Sequence, residues 1–237
     1  ALAEGRSPLL APTLGRMALD TALLPHWLGA AFVWPLGPLV GAPLAARLPF
    51  VALLALTMVL VWYATFHLAR TEAAQPVAFA FGGEAEPVAY ARAIADAALL
   101  ALIASLGLLQ LGHETTPELA QLAAVATLLW ALAAAPYQPR RARIAAATAL
   151  LLLALSGAPA MSLALGAAAA LVCAFSAYEA VRRSAAWVAI GAAVAAAAAG
   201  WAGTWGWRLA EGLDGATALS IARQWVWFLW PVWPAVL

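Results

Sequence analysis

The chain has 237 residues, of which 66% are hydrophobic and 10% are charged, and its mean hydropathy is +0.90. Its formal net charge is +1, and all twelve basic residues are arginines. A soluble domain carries about a quarter charged residues because water must solvate its surface. This composition therefore excludes an ordinary soluble domain and predicts a chain surrounded mainly by membrane lipid. The arginines are scattered, which argues against a nucleic-acid partner.

Residues 1–22 form a polar stretch without a signal-peptide pattern, and we expect them to be part of a first extracytoplasmic loop. We expect residues 23–237 to form a transmembrane helical domain truncated at both ends, since the chain starts without methionine and stops inside an apolar run. Residues 23–39 are apolar but contain three prolines, each of which removes a backbone donor. They form either a juxtamembrane helix on the extracytoplasmic face or a short crossing.

The later apolar runs predict a polytopic all-α bundle with about six to eight membrane helices, since one crossing needs about 20 apolar residues. The predicted helices cover residues 48–68, 90–112, 118–135, 144–156, 161–181 and 185–207, with a last one beginning near residue 220. The helix at 185–207 is rich in alanine and glycine, which favours close helix packing.

Arginines near short loops predict the orientation of these helices, because positive residues favour the cytoplasmic side. If each run crosses once, the main clusters all lie on one side; they are Arg70, the 140–143 cluster and the Arg182–Arg183 pair. The opposite side then carries the turns at 40–43, 113–117, 156–159 and 208–218.

The most suggestive polar sequence, Gly-His-Glu-Thr-Thr-Pro-Glu, joins the second and third of these helices on the side opposite the arginines. His113 and Glu114 offer a metal-capable nitrogen and a carboxylate, and Glu118 follows four positions after Glu114. A helix cap is the alternative, with Thr116 as N-cap, Pro117 at the first helical position and Glu118 favouring the helix dipole. Two side chains alone do not make a metal site.

Other polar residues also have two interpretations. His26 and Trp27 follow Asp20 closely in the N-terminal region, and Trp27 can anchor the chain at the membrane interface. Arg47 can bind an anionic headgroup or phosphate, or simply mark the interface. The C-terminal tryptophans are either interface anchors or an aromatic sugar platform.

Charged residues within the predicted helices need partners, because an isolated charge in lipid is costly. Asp96 is spaced to pair with Arg92, and Glu179 is placed beside Arg182 and Arg183. The chain lacks GxxxxGK[ST], HExxH, CxxC and GxSxG patterns, so ATP-driven transport, zinc-protease and serine-hydrolase activities have no motif.

The segment ALLPHWLGAAFVWPLGPLVGAPLAARLPFVALLALTMVLVWYATFHLAR resembles the GT-C membrane glycosyltransferases, in particular the aminoarabinose-transferase and protein-mannosyltransferase branches. The ending FLWPVWPAVL resembles a late helix of bacterial members. The likeness covers about the first third of the chain well and the rest by hydropathy. The matching positions are Leu24, Trp27, Gly37, Ala46, Arg47, Leu48 and Pro49.

The resemblance implies a GT-C-like enzyme of the bacterial inner membrane that moves a sugar from a polyprenyl-phosphate carrier to a lipid or protein acceptor. It implies an acidic base upstream of Ala1 and a site contribution from Asp20, with a divalent metal ion held by Asp20 and His113. Substrate contacts would come from Asp20, His26, Trp27, Arg47, His113, Glu114 and Glu118. Relatives often have lysine and two prolines where this chain has Thr21, Ala22 and Leu23, which weakens phosphate binding there.

Two alternatives stay open. A transporter or flippase would have broken helices with paired charges at mid-membrane depth. A non-catalytic membrane subunit would have polar turns that do not converge. Under the glycosyltransferase hypothesis, Asp20, His113 and Glu114 should share one extracytoplasmic cavity.

Overall fold

The computed structural model describes residues 2–5, 7–10, 12–14, 17–18, 22–76, 85–105, 115–205 and 215–228. Its secondary structure is helical apart from a short antiparallel pairing of β1 (Thr13–Leu14) with β2 (Met17–Ala18). Two 3-10 turns cover Leu2–Glu4 and Glu72–Ala74. The α-helices are α1 (Leu23–Val40), α2 (Ala42–Ala69), α3 (Pro87–Ala104), α4 (Pro117–Ala134), α5 (Pro139–Leu155), α6 (Pro159–Ala174), α7 (Glu179–Arg182), α8 (Ala185–Trp201) and α9 (Gly215–Phe228).

Proline and glycine explain many helix boundaries. Helices α2 to α6 each have a proline at the first or second position, where the missing N–H removes no intrahelical hydrogen bond. Gly41 separates α1 from α2 with a φ of 85°, and Gly157 turns the chain between α5 and α6 with a φ of 90°. Both angles lie in the region that glycine adopts without a steric penalty.

The chain is a multi-pass membrane protein. Within the described residues, five segments are long and apolar enough to cross a membrane: α1, α2, α3, α4, and α7 together with α8. Helix α6 is a shorter apolar helix. The all-helical membrane class predicted from the sequence is thereby confirmed, whereas the count of six to eight crossings stays a prediction.

The helices form two connected groups. Helix α2 packs against α1, α3 and α4, and α5 packs against α4, α6 and α8, with α6 also on α8. Small residues dominate the buried cluster of the second group, in which Ala146, Ala149, Ala154 and Ala195 are almost fully buried. Glycines allow the closest approaches: a Cβ added at Gly166 would lie 2.6 Å from the Cβ of Ala192. This confirms the predicted packing role of the small residues in α8.

Several predicted boundaries were wrong. The predicted helix at 161–181 ends at Ala174, and α7 begins only at Glu179. The Ser176 hydroxyl accepts a hydrogen bond from the Tyr178 backbone N–H (3.2 Å), a local turn that competes with the helix. Helix α8 ends at Trp201, since Gly203 turns the chain with a φ of 66°.

Helix α5 begins earlier than predicted, at Pro139 rather than near residue 144. The arginines assigned to a loop therefore lie on its first turns. At the other end of the chain, α1 is one helix that continues through Pro35 and Pro38. It is 18 residues long, enough for a crossing by length and composition.

Candidate functional site

One end of the bundle, which we call the arginine rim, gathers the cationic segments; it comprises Arg70, Arg140, Arg141, Arg143, Arg182 and Arg183. The Tyr137 hydroxyl donates a hydrogen bond to the backbone oxygen of His67 (3.4 Å), and the Arg70 guanidinium lies 5.1 Å from the Tyr137 ring centroid. The Arg143 Nε donates to the Ser184 hydroxyl oxygen (3.1 Å). These contacts join the end of α2 to the turn between α4 and α5, and the start of α5 to the turn between α7 and α8, as the arginine distribution predicted.

The opposite end, which we call the Glu118 rim, joins Ala22, the first turns of α4 and the turn between α5 and α6. The Gln121 amide donates a hydrogen bond to the backbone oxygen of Ser156 (2.9 Å). A Cβ added at Gly157 would lie 3.3 Å from the Cβ of Ala22, so the start of α1 lies against the same turn. The rim carries the polar groups of α1 and α4 at the end of the bundle away from the arginines.

Glu118 lies in the first turn of α4, where a carboxylate interacts favourably with the helix dipole. Thr116 is the N-cap residue and Pro117 follows it, which confirms the predicted positions. The Thr116 hydroxyl makes no capping hydrogen bond, and its oxygen is buried without a partner in the part of the chain that the structure describes. An unpaired buried hydroxyl is costly, so this oxygen is an energetically unfavourable feature of the rim.

His26 and Trp27 lie in the first two turns of α1 and are partly buried. The Trp27 indole N–H donates a hydrogen bond to the backbone oxygen of Leu9 (2.9 Å). Trp27 thus fastens the N-terminal segment to α1, a structural role that the sequence did not indicate. Both residues share an end of the bundle with Glu118.

Arg47 lies further from the arginine rim than Glu118 does. Helices α2 and α4 pack together and end at the arginine rim, so they run in the same direction. At about 1.5 Å per residue, Arg47 is about 33 Å from the end of α2, whereas Glu118 is about 24 Å from the end of α4. Arg47 is exposed on the part of the α1–α2 hairpin that extends beyond Glu118.

Asp20, His113 and Glu114 lie outside the described residues. Their convergence on one cavity, and the metal site assigned to Asp20 and His113, therefore stay predictions. Among the residues that the structure does describe, no group of three His, Cys, Asp or Glu side chains is arranged to hold a metal ion.

Asp96 has a partner that the sequence did not reveal. The Trp62 indole N–H donates a hydrogen bond to a carboxylate oxygen of Asp96 (2.7 Å), joining α2 to α3. The spacing of Arg92 and Asp96 predicted a different pairing within α3, but packing of α2 brings the indole to the carboxylate. Glu179 pairs with Arg183, as predicted.

An aromatic stack at the arginine rim was also missed. The His67 ring stacks on Tyr137 with centroids 5.2 Å apart, and Arg70 lies over Phe66 as well as Tyr137. In the sequence these residues are only isolated aromatic side chains near helix ends. Because 70 residues separate His67 from Tyr137, no local pattern indicates that their rings meet.

No protein-family model, curated protein or solved structure matches this chain.

Proposed function

We propose that the protein is a GT-C-like glycosyltransferase of the bacterial inner membrane, with about six to eight membrane helices, that uses a polyprenyl-phosphate-linked sugar. The observation that carries the proposal is the division of the bundle into two chemically different ends. The arginine rim marks the cytoplasmic side by the positive-inside rule. His26, Trp27 and Glu118 lie at the opposite end, where an enzyme of this class would meet a carrier-bound sugar.

The chemistry fits an end of the bundle where polar turns meet lipid-facing helices. The prenyl tail would stay between helices while the phosphate and sugar remain at the surface. Arg47 offers a planar guanidinium for the carrier phosphate, and the exposed Glu118 carboxylate offers hydrogen bonds to sugar hydroxyls. A divalent ion bound by Asp20 and His113 would offset the charge of the leaving phosphate.

Photocrosslinking tests this proposal directly. The chain in proteoliposomes would be exposed to a photoreactive polyprenyl-phosphate-linked sugar, and the crosslinked peptides identified by mass spectrometry. We expect crosslinks in the first turns of α1 and α4, reduced at least about fivefold by Glu118→Gln because a charge-assisted hydrogen bond is lost.

Glu72→Gln is the matched control, since Glu72 is exposed near the opposite end of the bundle. It should leave crosslinking unchanged. Crosslinks confined to the arginine rim, or equal effects of the two substitutions, would contradict the proposal.

A transporter or flippase is the second candidate, and the position of Asp96 favours it. Asp96 is the tenth residue of the 18-residue helix α3, and it is hydrogen-bonded to Trp62 of another helix. An ionisable residue at that depth is a common feature of transport pathways. Flip rates of a fluorescent prenyl phosphate that fall with Asp96→Asn, together with crosslinking insensitive to Glu118→Gln, would favour this candidate.

A further inference from the structure

A cavity of about 470 Å³ opens at the arginine rim between α5 and α8. This volume is in the range of about 300–1,000 Å³ that is typical of ligand pockets. The site is at the opposite end of the bundle from Glu118 and is independent of the proposed sugar transfer. The residues that line it are Arg140, Arg143, Ile144, Ala147, Thr148 and Trp187.

The cavity has a closed inner end. The residues from α5 are spaced three or four apart and share one face of the helix, while Trp187 comes from the first turn of α8. One turn beyond Trp187, a Cβ added at Gly191 would lie 3.1 Å from the Cα of Ala147. The two helices therefore touch at Ala147, which bounds the groove between them on the side away from the arginines.

The outer end of this groove is positively charged. The Arg143 Nε donates a hydrogen bond to the Ser184 hydroxyl (3.1 Å), which orients the guanidinium, and within the described residues its terminal nitrogens stay available. Arg140 is exposed and also lines the adjoining cavity with Arg141. Among the described residues, the carboxylate that forms a salt bridge with an arginine of this rim is that of Glu179. Its partner is Arg183, which lies outside the groove.

The walls of the groove are apolar and unusually open. Ile144 is 69% exposed and Trp187 is 55% exposed, although both are large apolar side chains. In a membrane these surfaces face hydrocarbon, and a tryptophan at this level suits the boundary between acyl chains and headgroups. A phosphate group therefore suits the positively charged outer end of the groove, and a hydrocarbon chain suits its apolar walls.

We infer that this groove binds an anionic phospholipid. The Arg140 and Arg143 guanidinium groups hold the headgroup phosphate through charge-assisted hydrogen bonds, and an acyl chain lies along Ile144 and Trp187. Basic pockets between membrane helices on the cytoplasmic side are suited to such headgroups.

Native mass spectrometry of the detergent-solubilised full chain, titrated with phosphatidylglycerol, tests this inference. We expect at least one bound phosphatidylglycerol, with binding about fivefold weaker in Arg140→Gln and in Arg143→Gln, because each arginine near a lipid phosphate contributes on the order of that factor. Phosphatidylcholine should bind at least tenfold more weakly than phosphatidylglycerol to the unmodified chain.

Arg183→Gln is the matched control, since it removes the same charge from the same rim outside the groove, and its affinity should stay within twofold. Arg140→Gln is the decisive variant because Arg140 contributes no ion pair to the described fold, so loss of folding does not complicate it. Equal weakening by Arg183→Gln would overturn the inference in favour of general surface charge. Full displacement of the lipid by inorganic phosphate would overturn it in favour of a simple anion site.

Discussion

The group formed by α4, α5, α6 and α8 and the pair formed by α2 and α3 are held together by different means. Half of the residues of α4 are buried, against 11% of those of α3. In the first group, alanine and glycine let the helices approach closely around Leu150, which is fully buried. The pair instead has the hydrogen bond from Trp62 to Asp96. In lipid, where apolar burial gives little advantage, close packing and interhelical hydrogen bonds are the available forces.

Of the substitutions that test this comparison, removal of the Leu150 side chain should cause the largest loss of stability. Leu150 lies where α5 meets α6 and α8, with its methyl groups 3.4 Å from the Cβ position at Gly166. Leu150→Ala should lower the free energy of unfolding by about 2–5 kcal/mol, because it leaves a cavity in a closely packed region. Unfolding in mixed detergent micelles measures this. Leu171→Ala on the exposed face of α6 is the control, and equal losses would contradict a packed interior at Leu150.

Gly166→Ala should have the next largest effect. The added methyl group would lie 2.6 Å from the Cβ of Ala192, so α6 and α8 must separate. We expect a loss of about 1–3 kcal/mol, the usual cost of overpacking. Gly29→Ala in α1 is the matched control, since nothing lies within 4 Å of its Cβ position. If Gly166→Ala is as stable as Gly29→Ala in the same unfolding assay, the close approach of the two helices is wrong.

Loss of the hydrogen bond between α2 and α3 should have the smallest effect. Trp62→Phe keeps an aromatic ring but removes the indole N–H, and should cost about 0.6–1.7 kcal/mol, as for other hydrogen bonds between membrane helices. Asp96→Asn retains an acceptor oxygen and should cost less. The mutants would be compared by the same micellar unfolding measurement. A larger loss for Asp96→Asn would mean that the negative charge, rather than the hydrogen bond, joins the helices.

The sequence predicted the coarse features of the fold well and its boundaries less well. Apolar runs and arginine positions were sufficient for the membrane class and for a common rim of Arg70, Arg143 and Arg183. The end of α6 was missed because apolar character continues beyond Ala174, whereas the Ser176 turn depends on local hydrogen bonding. Of the candidate site, the positions of Thr116, Pro117 and Glu118 followed from capping preferences, while the contact of Trp27 with Leu9 did not.

The amino-acid sequence by itself determined that this chain is a membrane protein, because it has too few charged residues to solvate its surface in water. The sequence also determined that the arginines lie towards one side of the membrane. Only the tertiary structure decided which distant residues meet: Trp62 with Asp96, His67 with Tyr137, and Arg143 with Ser184. The physical reason is that hydropathy and helix signals are local along the chain. Contacts between helices depend instead on which small side chains let two particular helices approach, a property of pairs that are far apart in sequence.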